Sequence, residues 1–418
     1  MIGDNMDIAR DSLGVCSNVA YDGKVRGDMK KIHWWCRLLF GLGLMLCLCS
    51  RGAEAADKGS QFRERLIQGY KDYVKSVDVK SIGLSVKSSS DKKVIDQVIE
   101  DVLNETTDLF YAGREFSVSA DRSTGKIIKV NLAYDKRYLS GSKVNVSKIK
   151  KVRRQLNDEI ASIMKIVRPG MSDVEKALVL HDYLARTVVY TDSSSAPWRI
   201  SEEGAILKKR ANCMGYALGY IVLLEKAGIE AKCVSSESMA HMWNLVKVGG
   251  KWYHVDLVWD APLSSLNRKN MYGYVCHDNF LVSNAAIRKT GHKGFSASAT
   301  STKYDKKYWR KSDSSFWYQG GKYYYATNTG IYVRKRIASG TARRIKKGRI
   351  LCFVRRKGYK FYCIAGNQAY RVDVKTRKWK AVYQPPGETR LEQLKCSGKK
   401  IYFRYTKGRK IFSGSRKI

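Results

Sequence analysis

Apolar residues recur along this chain in three rhythms, and each rhythm marks a different region. From 91 to 104, Val94, Ile95, Val98, Ile99 and Val102 fall at helical spacing. Strand-like runs follow at 108–112 and 127–132. Ile149, Val152, Leu156, Ile160, Ile163 and Val167 then predict one long amphipathic helix, ended by Pro169-Gly170. Ser172 and Glu175 form a capping box that opens the next helix. Residues 214–227 are apolar on nearly every side and predict a buried helix with Gly228 as its stop. A strand over 230–235 precedes two more strands about Gly249-Gly250, a strong hairpin turn.

Beyond residue 300 the rhythm becomes turn followed by aromatic strand. Gly321-Lys322-Tyr323-Tyr324-Tyr325, Gly358-Tyr359-Lys360-Phe361-Tyr362 and Gly398-Lys399-Lys400-Ile401-Tyr402-Phe403 recur at spacings of 37 and 40 residues. Repeats of that length predict about three blade-like β units, fewer than the four or more that usually close a propeller. The pattern as a whole is α+β. It divides into a leader over 1–56, an N-terminal α+β domain over 57–165, a third region over 166–300 and an all-β region over 301–418.

The leader reads as an address. Lys30, Lys31 and Arg37 precede an uncharged run, Leu38 to Ser50, and Ala53-Glu54-Ala55 supplies a small-x-small cleavage site. The run is short of the roughly 20 residues a spanning helix needs, so a signal peptide cleaved near Ala55 is expected, with Met29 as the start of translation. The mature chain is then secreted or associated with the cell surface.

Charge changes the reading of the C-terminal region. The chain carries a formal net charge of +40. Residues 301–418 hold 33 Lys and Arg against 5 Asp and Glu, so 28 of the 40 excess charges lie there. For an exported protein such a face fits anionic cell-wall or surface polymers, bound through counterion release; nucleic acid is not the expected partner. The bland alternative is that the lysines solvate an edge-rich β array and discourage aggregation. Six cysteines follow the leader, and none of their spacings suggests a zinc site. Cys352 and Cys363 flank Lys357-Gly358 symmetrically, so a hairpin there sets them opposite each other, at a spacing that permits a disulfide.

Candidate chemistry concentrates in Asn212-Cys213-Met214-Gly215-Tyr216-Ala217, His241-Met242-Trp243-Asn244 and Trp252-Tyr253-His254-Val255-Asp256. Cys213 stands at a helix N-terminus, where free N–H groups and the macrodipole favour a thiolate. If Val248 pairs with Lys251, Trp243 lies opposite Asp256. His241 is then one diagonal step away on the same face, roughly 7–8 Å at the backbone. A slip of one residue would separate them. The constellation is that of a thiol nucleophile, a base and a carboxylate that orients the base. His254 is predicted on the same face and is a rival base. Cys213 is alternatively a packed thiol, Asp256 a turn cap, Trp243 a core aromatic and His181 a packing residue of its own helix.

These segments resemble the transglutaminase-like superfamily of cysteine enzymes, which has a papain-like core, in its bacterial exported form. The resemblance extends to Ser172-Asp173-Val174-Glu175-Lys176-Ala177, to His181-Asp182-Tyr183-Leu184 and to Asn279-Phe280-Leu281-Val282-Ser283, over roughly 166–295. It implies a helix bearing the cysteine packed on an antiparallel sheet bearing the histidine and the aspartate. Cys213 is then the nucleophile, His241 the base and Asp256 the orienting carboxylate, with Trp243 and Tyr216 as substrate contacts. The implied activity is acyl transfer or hydrolysis on protein or peptide amides through a thioester, with no metal or organic cofactor. Some members have lost the chemistry, so a binding or scaffold protein on the same fold is the alternative.

Overall fold

The structure is a computed structural model that describes residues 19–21, 45–261 and 271–417. Most of the leader lies outside the described residues; the expected cleavage site at 53–55 falls within a helix, Met45–Lys71. Among the described residues no helix is long and apolar enough to cross a membrane. Contacts divide the described chain into two compact units that meet at residues 154 and 155, inside the helix Val146–Met164.

In the unit before residue 155, the predicted helix is Ser89–Glu105, with Ile95, Val98, Ile99 and Val102 buried along one face. A four-stranded sheet orders Val19–Tyr21, Phe116–Ala120, Ile127–Asn131 and Ser76–Asp78. The strand expected over 108–112 does not form. Asp108 takes a left-handed backbone (φ 68°), which breaks an extended run, and only an isolated bridge from Ala112 to Tyr134 remains.

The unit after residue 155 begins its core with the helix Asp173–Thr187. Its capping box is complete: the Ser172 hydroxyl accepts from the Glu175 amide, and the Glu175 carboxylate accepts from the Ser172 amide. The apolar helix runs Cys213–Lys226 and is followed by Gly228 at φ 76°. A four-stranded antiparallel sheet packs beside it in the order Phe280–Val282, Lys251–Val255, His241–Val248, Ala231–Ser236. Gly249 and Gly250 both have positive φ (57° and 73°), the geometry of a type I′ turn, and Val248 pairs with Lys251 as the register required.

Three antiparallel meanders complete this unit, two of four strands (residues 317–347 and 350–383) and one of three (residues 390–417). Alternation explains how they stack. In the strand Lys360–Ala365 of the second sheet, Phe361 and Cys363 face a core with Tyr324, Ile331 and Val333 of the first. Tyr362 and Ile364 face Leu391, Leu394, Ile401 and Phe403 of the third. The middle sheet is therefore buried on both faces, as period-two patterning allows.

Both Cys352 and Cys363 are free thiols. Leu351 pairs with Ile364 as expected, but a bulge at Cys352, whose φ is 49°, shifts the ladder so that Val354 pairs with Tyr362. One extra residue re-aims the side chain, and the two thiols enter different cores.

Candidate active site

Asn212 caps the cysteine helix, its side chain accepting from the Gly215 amide at 3.2 Å. Gly215 is required by close approach. A Cβ there would stand 2.2 Å from the Arg199 carbonyl oxygen and 3.0 Å from that of Ser201. The missing side chain lets the helix start press against the 199–201 backbone and fixes where Cys213 projects. Asn244, three residues after His241 on the same strand, is fully buried and donates to the Ala217 carbonyl at 3.1 Å. It bridges the cysteine helix to the histidine strand.

That bridge brings the three predicted residues together. His241 Nε2 lies 2.6 Å from Asp256 Oδ2, and the Cys213 thiol is near enough to the His241 ring to act on its charge. With Nε2 on the carboxylate, Nδ1 is the ring nitrogen left for sulfur. Burial pushes the His241 imidazole down, yet Asp256 and Cys213 outweigh it and hold it up at about 10. The protonated form of the ring is thus favoured between a carboxylate and a sulfur. Burial raises Asp256, but His241 and His292 bring it well below the ordinary carboxylate range. Asp256 is also the turn cap that its position allowed: Oδ1 accepts from the amides of Val258 (2.8 Å) and Trp259 (3.1 Å).

Trp243 and Tyr216 are each 1% exposed. Trp243 stacks on His241 at 5.6 Å and 25°, a position that keeps water from the ring, and its indole N–H donates to His254 Nδ1 at 3.0 Å. The Tyr216 hydroxyl donates to the Val188 carbonyl at 2.5 Å and anchors the helix. The rival base His254 accepts from Trp243 on one nitrogen and bonds Asn284 Oδ1 at 2.8 Å on the other. Burial takes it down to about 4, so it is neutral and held by neighbours other than the triad.

Sequence reasoning missed His292. Its Nε2 lies 2.8 Å from the same Asp256 Oδ2. It also missed a second buried cluster. There, His181 bridges Asp182 (3.0 Å) and Asp260 (3.2 Å), and His277 bonds Asp182 at 2.9 Å. One signal was available: five of the six histidines fall between 181 and 292, and all five are buried.

Two groups, His181 with Asp182 and His277, and His241 with Asp256 and His292, bring ligand-type atoms within 4.8 Å of one another. Two ligands on one tetrahedral zinc stand about 3.4 Å apart, whereas His241 and Asp256 are 2.6 Å apart. That is the spacing of a shared hydrogen, so the second group as it stands is a proton-bonded arrangement.

Comparison with known proteins bears on the same stretch. Among curated proteins, none matches this chain. A solved structure described as a TGase aligns over 38% of this chain and 46% of its own, at 14% identity and a TM-score of 0.24. This chain therefore spans about half the length of that TGase. The N-terminal domain of Nup159 aligns over 42% of this chain and 41% of its own, at 8% identity and a TM-score of 0.20. Overlaps this loose carry no argument about function. The family model described as the transglutaminase-like superfamily matches residues 160–257, a stretch that contains Cys213, His241 and Asp256 and to which this chain is therefore similar.

Proposed function

We propose that the chain is a cysteine enzyme that transfers or hydrolyses acyl groups of protein or peptide amides. The observation that carries this reading is the 2.6 Å bond between His241 and Asp256 with the Cys213 thiol beside the same ring. Cys213 sulfur attacks the amide carbon, and the Cys213 backbone N–H, at the start of its helix, is positioned to receive the developing oxyanion. His241 gives a proton to the nitrogen as the C–N bond breaks, leaving a thioester and a free amine or ammonia. Water or a primary amine then attacks the thioester, His241 takes its proton, and the sulfur is released. Asp256 holds the ring in the tautomer both steps need.

One observation favours a second reading. Cys213 is only 1% exposed, so a substrate reaches it only if neighbouring side chains move. A binding or scaffold protein on the same fold has no such requirement. The two readings separate on casein offered with a fluorescent primary amine. The enzyme reading expects amine incorporation, ammonia release or new peptide ends, all absent in Cys213→Ala; a Cys213→Ala variant equal to wild type supports the scaffold.

The charge of residues 301–418 supports an exported protein held at an anionic surface. Strands such as Arg343–Lys347, with four of five residues exposed and basic, supply the contact. Binding to phosphatidylglycerol vesicles that weakens steeply with salt is the expected result; binding indifferent to salt contradicts it.

A further inference from the structure

We propose that His292 is a positioning residue of the Cys213–His241–Asp256 site, holding the carboxylate oxygen that orients His241. The proposal rests on the cysteine-enzyme reading and adds to it a residue that lies beyond the matched stretch of 160–257.

The geometry makes Asp256 the hub. Its Oδ1 is held by the Val258 and Trp259 amides, and its Oδ2 by His241 at 2.6 Å and His292 at 2.8 Å. Because His292 Nε2 faces a carboxylate, that nitrogen carries the hydrogen. With four donors on two oxygens the carboxylate has no freedom to rotate, so Oδ2 stays aimed at His241. Without His292, one lone pair of a buried charge is left unfilled and the carboxylate is held from one side only.

His292 is itself fixed. It is 1% exposed, with Trp259 at 4.1 Å and Trp243 at 4.9 Å between ring centroids. Its Nδ1 lies 3.1 Å from the Thr290 hydroxyl, which lies 2.7 Å from Asn279 Oδ1. The Asn279 carbonyl in turn accepts from the Asp256 amide at 3.1 Å. The contacts therefore close a ring of Asp256 side chain, His292, Thr290, Asn279 and Asp256 backbone, in which the single Thr290 hydroxyl hydrogen serves one of His292 Nδ1, Asn279 Oδ1 and the Ile287 carbonyl (2.7 Å) at a time. The Asn279 side-chain amide donates to Asp260 at 3.1 Å, which fixes which way it points. Such a ring ties the carboxylate to its own backbone, a requirement of orientation rather than of packing. The charged or titratable groups around His292 include Asp256 by direct bond, His241 at 5.9 Å between rings, His254 through its electrostatic interaction with His292, and Asp260 through Asn279.

The test compares full-length wild type, His241→Ala, His292→Ala, His292→Gln and Thr290→Val. The pH dependence of iodoacetamide labelling at Cys213 is read by peptide mass spectrometry, after unfolding curves establish that each variant is folded. His292→Ala is expected to shift the profile and slow labelling roughly ten- to hundredfold near neutrality. His292→Gln, which keeps a donor, is expected to recover most of the loss. Thr290→Val keeps the ring but cuts its brace, so it gives a smaller shift in the same direction and serves as the test if His292→Ala does not fold. A wild-type profile in His292→Ala, or in Thr290→Val where that stands in, alongside an altered one in His241→Ala, overturns the proposal and leaves the cysteine-enzyme reading intact. A profile unchanged in His241→Ala overturns both.

Discussion

Two buried histidine–carboxylate clusters lie in the same compact unit, built from the same residue types, and they end on different groups. In one, Asp256 and His241 end on the sulfur of Cys213. In the other, Asp182, His181 and His277 end on main chain of the C-terminal region: Asp182 accepts from the Phe316 amide at 2.6 Å, and His277 donates to the Ser312 carbonyl at 2.9 Å. The first reaches a sulfur, and the second docks the C-terminal region on the core. What a buried imidazole–carboxylate pair does is decided by its terminal group, so residue type alone is a poor guide. The docking cluster also has a companion, because buried Glu175 accepts from the Ile337 amide at 3.0 Å as well as closing its own helix cap. The first C-terminal sheet is therefore joined to the core through buried carboxylates, which is more than a basic tether requires.

The sharpest way to separate the clusters is to neutralise one carboxylate in each. Asp256→Asn is expected to lower acyl transfer by roughly 10²–10⁴-fold through loss of His241 orientation, with a smaller change in stability; an unchanged rate moves the orienting role elsewhere. Asp182→Ala is expected to do the reverse. Removing one member of a buried charged network costs about 3–5 kcal/mol, seen as a lower denaturation midpoint, and a midpoint within experimental error of wild type would falsify the docking account. Gly215→Ala tests the approach that places Cys213. Overpacking against backbone costs about 1–3 kcal/mol and displaces the thiol, so it lowers both midpoint and labelling rate; loss of neither contradicts the close packing.

The smallest expected effect is on pH dependence. Burial lowers His181, but Asp182 and Asp260 prevail and hold it up at about 9, above its ordinary value of 6.5. A group raised on folding contributes stability in full below about pH 6.5 and loses it as pH climbs through about 9. Denaturation midpoints are therefore expected to fall across that window, and to fall less in His181→Gln. An equal slope in both proteins would remove His181 as its source.

How much was legible follows from how local each feature is. The register of the hairpin was readable because Gly249-Gly250 dictates a two-residue turn, and every pair back to Asn244 and Val255 follows from it. The capping box at Ser172 and the stop at Gly228 depend on residues a few positions apart. His292 was not readable, since its bond to Asp256 spans 36 residues and follows no repeat. The Asp182–Phe316 bond spans 134 and joins regions expected to be separate domains. The misplacement of Cys352 has another cause: the turn falls at Gly358-Tyr359, with Lys357 paired to Lys360, and two register shifts, between Arg355 and Lys357 and between Leu351 and Val354, interrupt the ladder.

The central claim is that His241 activates Cys213, and the most direct measurement is the rate of iodoacetamide labelling at Cys213 across pH in the full chain and in His241→Ala. The account predicts fast labelling at neutral pH that collapses in the variant. Slow labelling at neutral pH, indifferent to His241, would contradict it and leave a packed thiol on a binding scaffold.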